Sequence, residues 1–375
     1  MPEADAVLRD LVALNMTLRV GVADYERLVA ALGSHDALRG ASRRDLKSAG
    51  LPDRLATEAA RLLASGEPDE ELRQASQRGV ALIPFTDPAY PALLRRIREA
   101  PLLLYVEGQL EDTDAVALAV VGTRRPTYYG EAQAARLAAD CAARGLTIIS
   151  GLARGIDTAA HQGAIDGGGR TLAVLGSGLA HLYPPENADL ADAIADHGAV
   201  LSEFPLLTKP WPGNFKRRNR LISGLALGVL VVEAGRRSGA LATADWAADQ
   251  GREVLAVPGR IDRNQSAGCH LLLKQGATLV ESADDVTDAL GEVGDTLAPA
   301  RPAPRSAAPE LTEAEAAVLA AVPDEPTHID LIADACSRPP HAVASLLMLL
   351  ELKHLVIQRP GKLFVRHPDA PAPSS

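Results

Sequence analysis

The sequence predicts an α/β protein built on a doubly wound, Rossmann-like parallel sheet, with a small all-α domain before it and a winged-helix-like domain after it. Three observations carry this. Between about 79 and 290, short apolar runs recur at 80–83, 102–105, 116–121, 146–149, 171–175, 199–201, 229–232, 254–257 and 277–280, mostly separated by stretches of helical character. Near-continuous apolar strands alternating with helices imply a parallel sheet covered on both faces. Residues 1–66 show helical spacing with glycine stops. Beyond an Ala/Pro-rich stretch at 291–310, three helical segments and a hairpin pattern fill 311–367.

In the first region, Val7, Leu8, Leu11, Val12 and Leu14 give one apolar helix face, and Leu28, Val29 and Leu32 give another, closed by Gly33. Leu55, Ala59, Leu62 and Leu63 follow the break at Gly50-Leu51-Pro52. Short helices with glycine turns resemble a sterile-alpha-motif or helix-hairpin-helix module; a packed accessory bundle fits the pattern equally. The apolar content of 47% suffices for a core. Cys141, Cys269 and Cys336 are odd in number and far apart, with no zinc-ligand spacing, so neither a disulfide framework nor a metal site is expected. The N-terminus lacks a basic leader, and no uncharged run reaches transmembrane length, so the expectation is a soluble, cytoplasmic protein with no membrane association.

Ligands of doubly wound sheets bind at the carboxyl ends of the strands. Run 116–121 ends in Gly122-Thr123-Arg124-Arg125-Pro126. The glycine permits close backbone approach, Thr123 and the following amides can face an anion, and Arg124 offers a fork of donors suited to phosphate. Run 146–149 ends in Ser150-Gly151-Leu152-Ala153-Arg154-Gly155-Ile156-Asp157, with His161 on the same helical face as Asp157. Asp157 reads as a cap or network residue and His161 as a satisfied polar residue. Further turns follow at Gly176-Ser177-Gly178, at Glu233-Ala234-Gly235-Arg236-Arg237-Ser238-Gly239, where Ser238 reads as an N-cap, and at Pro258-Gly259-Arg260. A dinucleotide fold wants G-x-G-x-x-G after its first strand. Gly122 lacks that pattern, so no cofactor is expected, and arginine-bearing turns suit the successive phosphates of a polymer better.

The segment 204–232 sharpens this reading. The chain carries a formal net charge of −10, yet this stretch holds Lys209, Lys216, Arg217, Arg218 and Arg220 and no carboxylate. Pro205, Pro210, Pro212, Gly213 and Asn214 flank the cluster, which predicts a loop delivering charge to a helix start. Trp211 and Phe215 are candidates for base stacking or for core packing.

These motifs together resemble the DNA processing protein A family (DprA, also called Smf). The resemblance rests on Gly122-Thr123-Arg124-Arg125-Pro126, the Ser150–Asp157 stretch with His161, Tyr183-Pro184-Pro185-Glu186-Asn187, Ser202-Glu203-Phe204-Pro205, Arg218-Asn219-Arg220-Leu221-Ile222, Val232-Glu233-Ala234 with Arg237-Ser238-Gly239-Ala240, and Pro258-Gly259. It covers roughly 79–280 in order. It implies an extended Rossmann fold without catalytic activity, commonly homodimeric through that domain. It also implies a protein of natural transformation that protects incoming single-stranded DNA and loads the RecA recombinase onto it. The resemblance carries Arg124, Arg218, Asn219 and Arg220 over as binding residues. Gly122, Thr123, Arg125, Gly151, Arg154, Lys209, Phe215, Lys216 and Arg217 join them as candidates. Family members usually have proline after the phenylalanine where this chain has Lys216, which adds charge.

The rival reading is a nucleotide-hydrolysing enzyme on a related fold. It needs a carboxylate poised at the phosphate site. Only Asp157, Glu203 and Glu233 stand at the strand ends, and the rival's glycine-rich turn followed by an acid is missing. In the last region, 337–352 offers only Arg338 and His341 as basic groups against Glu351. A duplex-reading helix would want more, so an accessory or protein-interaction role is expected there.

Overall fold

The computed structural model describes residues 3–17, 19–297, 311–323, 325–353, 355–367 and 370. It separates into two compact units, one of 1–126 with 133–300 and one of 127–132 with 301–375. The expected linker at 291–310 lies outside the described residues from 298 onward, and its start forms a short helix, Glu292–Asp295.

The first unit holds a nine-stranded sheet: β1 (Ala81–Pro84), β2 (Leu103–Gly108), β3 (Ala117–Val121), β4 (Thr147–Ser150), β5 (Thr171–Val174), β6 (Gly198–Ser202), β7 (Gly228–Val231), β8 (Glu253–Ala256) and β9 (Thr278–Leu279). Their order is β1-β2-β6-β5-β4-β3-β7-β8-β9. From β6 to β9 every pairing is parallel; β1 and β2 extend the sheet as antiparallel strands. Each apolar run of the sequence becomes a strand, and the inner strands β3 to β7 are buried along their whole length, which leaves little place for polar residues. Alternate side chains feed opposite cores. Ala117, Ala119 and Val121 join Leu221, Ile222, Ala244 and Ala247 on one face, while Leu118 and Val120 join Leu137, Cys141, Ile156 and Ala160 on the other. The chain reverses its direction of travel across the sheet at β3, which has β4 on one side and β7 on the other. That reversal opens a crevice at the carboxyl end of β3.

Six helices precede the sheet: Glu3–Met16, Val22–Leu32, His35–Arg39, Arg43–Ser48, Asp53–Ala64 and Glu67–Gln77. Their core of Leu11, Leu14, Leu28, Leu46 and Leu62 continues onto Leu103 and Tyr105 of β2 and onto Leu206. The last helix was not expected, since its residues are polar nearly all round. Glu71 within it is buried and accepts the Leu206 N–H at 2.7 Å, and Leu72 and Ala75 pack onto the same core.

In the second unit, the helices Glu313–Ala321, Ile329–Ala335 and Pro340–Leu352 pack with β10 (Thr327–His328), β11 (Val356–Arg359) and β12 (Leu363–Arg366), ordered β10-β12-β11. Val318, Ile332, Val343, Leu347, Leu350 and Phe364 form its core. Three helices and a hairpin make the winged helix that the sequence predicts. The outer face of Pro340–Leu352 carries exposed Met348, Leu349 and Leu352 and no lysine or arginine.

Candidate nucleic-acid interface

A cleft of about 490 Å³ opens where the carboxyl ends of β3 and β7 meet, lined among others by Gly122, Arg124, Asp157, Tyr183, Phe215, Lys216, Arg218 and Asn219. Its wall is the helix Pro212–Leu225. Pro212 stands in the first turn behind Trp211, where its fixed φ and missing N–H suit a helix start. Lys216, Arg217, Arg218 and Arg220 therefore sit on helix turns, not in the loop that the prolines suggest. The helical period then divides the cluster. Lys216 and Asn219 face the cleft, whereas Arg217 and Arg220 turn away to Glu203.

Arg220 is the clearest departure from the expected set of binding residues. It is enclosed, donates to both carboxylate oxygens of Glu203 at 2.7 and 2.8 Å and gives its Nε to the Glu99 carbonyl at 3.0 Å. Every arm of its fork is held internally, so it supports the helix and does not offer a donor at the surface. Arg217 shares Glu203 at 3.0 Å and lies 5.8 Å over the Phe204 ring.

Arg218 is also enclosed, at 3% exposure, but it forms the cleft floor. One terminal nitrogen donates to the Gly151 carbonyl at 2.8 Å and to the Val174 carbonyl, at the ends of β4 and β5. Its Nε has no hydrogen-bond partner. Burial lowers its pKa to about 10, with the Asp157 charge acting in the opposite direction. The guanidinium is thus a cation beneath the cleft, held mainly by backbone dipoles. It fits because residue 151 has no side chain: a Cβ there would lie 2.4 Å from the guanidinium nitrogens.

The turns beside it are laced together. The Glu233 carbonyl accepts the Thr123 N–H at 2.7 Å, and the Thr123 carbonyl accepts the Ile156 N–H at 3.2 Å. Thr123 Oγ1 accepts the Arg125 N–H at 3.2 Å, so the hydroxyl is engaged in its own turn. Asp157 is the network residue that the sequence predicts. Its carboxylate accepts the Gly151 and Ala153 N–H groups at 3.2 and 3.3 Å, and burial raises its pKa despite the nearby Arg218. His161 is fully enclosed, bonded through Nδ1 to Thr171 at 2.7 Å, while its Nε2 is unpartnered. Burial, reinforced by Arg218, lowers its pKa to about 3, so it stays neutral.

Two cations flank a pair of aromatic rings at the mouth. Arg124 lies 5.4 Å over the Phe215 ring, Phe215 lies 5.6 Å from Tyr183, and Arg154 lies 5.7 Å over Tyr183. Phe215 also rests on Gly176, where a Cβ would come within 2.5 Å of its ring. Tyr183 is not among the expected binding residues, although its Tyr-Pro-Pro-Glu-Asn stretch belongs to the family motifs. Arg124 and Lys216 are exposed and make no ion pair among the described residues. Arg125 and Lys209 are exposed but do not line the cleft, and Trp211 stands 69% exposed at its edge. Ser238 caps the helix Gly239–Asp249 as expected, accepting the Ala240 N–H at 3.3 Å, and this positive helix end also borders the cleft. No cluster of side chains able to hold a metal ion occurs among the described residues, and none of their helices is long and apolar enough to cross a membrane.

Comparison with known proteins places this architecture. A family model described as DNA recombination-mediator protein A matches residues 81–291, and one described as the DprA winged helix domain matches 301–362. Protein Smf of Escherichia coli is 42% identical over 284 residues, covering 75% of this chain and 76% of its own. A putative DNA processing protein DprA of Mycobacterium tuberculosis is 41% identical over 307 residues, 78% of this chain and 79% of that one. The X-ray structure of DNA processing protein A from Streptococcus pneumoniae superposes with a TM-score of 0.63 at 33% identity, over 74% of this chain and 95% of that one. On these matches, together with the sheet and the winged helix, the chain belongs to the DNA recombination-mediator protein A family, DprA.

Proposed function

We propose that the chain binds single-stranded DNA along the cleft without catalysing a reaction on it, and that during natural transformation it protects the incoming strand and loads RecA recombinase onto it as a homodimer. The observation that carries the binding step is Arg124, without an ion pair among the described residues, over the Phe215 ring, with Tyr183 beside that ring, above a floor cation at Arg218. Cations beside aromatic faces suit a polymer that offers phosphates and unpaired bases together. A base already paired in a duplex has no free face to offer such rings. Lys216 and the capped end of Gly239–Asp249 add positive potential along the same wall. Family membership supports the transformation and recombinase roles.

Two of the three strand-end carboxylates, Asp157 and Glu203, favour binding over hydrolysis. Asp157 is turned onto backbone N–H groups and Glu203 is saturated by Arg220 and Arg217. Neither is poised as a general base beside a phosphate.

Fluorescence anisotropy of a labelled single-stranded oligonucleotide across a salt series, with a matched duplex as competitor, tests the reading. Binding that duplex does not displace is the expected result. Arg124→Ala should weaken all sequences alike and make the log–log salt slope shallower by about 0.7, the contribution of one neutralised phosphate on a single strand. Absence of binding at low salt, or hydrolysis of a nucleoside monophosphate, would move the enzyme reading to the front.

A further inference from the structure

Arg154 differs from the other cations of the cleft mouth. It lines a recess continuous with the main cleft, beside Arg124, Tyr183 and Phe215. Unlike Arg124 and Lys216, it already has an anionic partner: its Nε donates to Glu186 Oε1, while its Nη1 stands 3.5 Å from the Tyr183 hydroxyl. Both members of the pair are about half exposed, at 50% and 48%. Glu186 is not among the residues lining the recess, so its carboxylate meets Arg154 from outside while the guanidinium lies over Tyr183. The hydrogen bond from Arg154 holds the Glu186 carboxyl below its ordinary range, and it is ionised at neutral pH.

An arginine at the mouth of an anion-binding cleft that is already neutralised contributes little to the field a strand meets. We propose that Glu186 is a competing carboxylate that withholds Arg154 from the strand, so that the chain binds single-stranded DNA more weakly than its cleft allows. Glu186 is thus a positioning residue: it acts on the strand through Arg154 and does not touch it. The competition is finely balanced because both groups are solvated. Exposed ion pairs of this kind are weak, which corresponds to no more than about a fivefold change in an equilibrium. The inference rests on the single-strand reading of the cleft.

A double-mutant cycle on the full chain tests it, with anisotropy of a labelled oligothymidylate across a salt series and a urea midpoint for each variant. Glu186→Gln should tighten binding by roughly two- to fivefold. It should also steepen the log–log salt slope by about 0.7, as one more cation engages a phosphate. Arg154→Ala alone should change affinity less than about twofold, because the arginine it removes was already occupied. In the Glu186→Gln background the same substitution should abolish the whole gain. If the gain persists without Arg154, Glu186 acts by simple repulsion and the inference fails. If the unaltered chain binds and Glu186→Gln matches it in affinity and slope, with an unchanged urea midpoint, the inference fails while the single-strand reading stands. If no variant binds, the unaltered chain included, the single-strand reading fails and takes the inference with it.

Discussion

At the scale of single residues, the cleft floor depends on what is missing. Arg218 occupies the space that a side chain at Gly151 would fill, and its guanidinium is fixed by the carbonyls of Gly151 and Val174. A methyl group at 151 would meet an atom that cannot swing aside, unlike the free end of a surface arginine. Gly151→Ala should therefore destabilise the fold by about 1–3 kcal/mol, the usual range for overpacking an enclosed site. It should weaken strand binding as well. Gly239→Ala is the matched control: nothing lies within 4 Å of a Cβ there, and its stability should stay within about 0.5 kcal/mol of the parent. Urea titration of the two variants checks the contrast. Equal stability would mean that Arg218 relocates without strain.

At the scale of elements, the helix Pro212–Leu225 does two jobs with one basic cluster. Its cleft face presents Lys216 and Asn219, and its other face locks Arg217 and Arg220 onto Glu203, which follows β6. Asn15 of the first helix donates to the Glu203 carbonyl at 3.0 Å, so the N-terminal helices meet the same junction. Removing one partner of an enclosed ion pair leaves an uncompensated charge, and Glu203→Gln should cost about 3–5 kcal/mol by urea unfolding. The substitution should lower stability before it lowers affinity at saturating strand. A loss of binding with unchanged unfolding would instead return Arg220 to the contact surface. This junction also marks how far the sequence could be read. The inner strands were legible because burial on both faces leaves an unbroken apolar run. The basic cluster was legible because charge of one sign in an acidic chain is conspicuous. Which member faces the ligand was not, because that depends on helix phase and on a partner 17 residues earlier in the chain. Prolines 210 and 212 read as a loop, yet one of them begins the helix. Glu67–Gln77 is hard to read because its apolar face is only Pro68, Leu72 and Ala75, and the hydrogen bond of its Glu71 carboxylate leaves no sign in the sequence.

For the whole molecule, two predictions follow from groups that the cleft itself does not use. His161 is neutral when folded, with its pKa lowered to about 3 by burial and by Arg218, against an ordinary value near 6.5. The unfolded chain gains a proton there as pH falls through that ordinary value, and the folded chain does not until about 3. Stability attributable to His161 is therefore complete above about pH 6.5 and drains at up to about 1.4 kcal/mol per unit below it. Between pH 7.5 and 5.5, His161→Gln should abolish about 1.4 kcal/mol of acid destabilisation in urea titrations. Comparing variant with parent cancels the opposite trend of Asp157, whose raised pKa favours the folded state as pH falls. The second prediction concerns assembly. The stretch from the end of β8 to β9 exposes Ile261 at 94%, together with Leu271 and Leu279, beside a two-residue strand whose outer edge pairs with no strand among the described residues. An apolar, unpaired sheet edge is the kind of surface that a two-fold partner covers. Sedimentation at tens of micromolar should give a dimer, and Ile261→Glu combined with Leu279→Glu should give a monomer that keeps its urea midpoint. A monomeric parent at that concentration would sink the homodimer reading. Two clefts in one particle also change how strand length matters, because the second engagement becomes intramolecular. Affinity should then rise in a step once an oligonucleotide can reach both clefts, and that step should vanish in the monomeric variant while its affinity for short strands stays at the parent value.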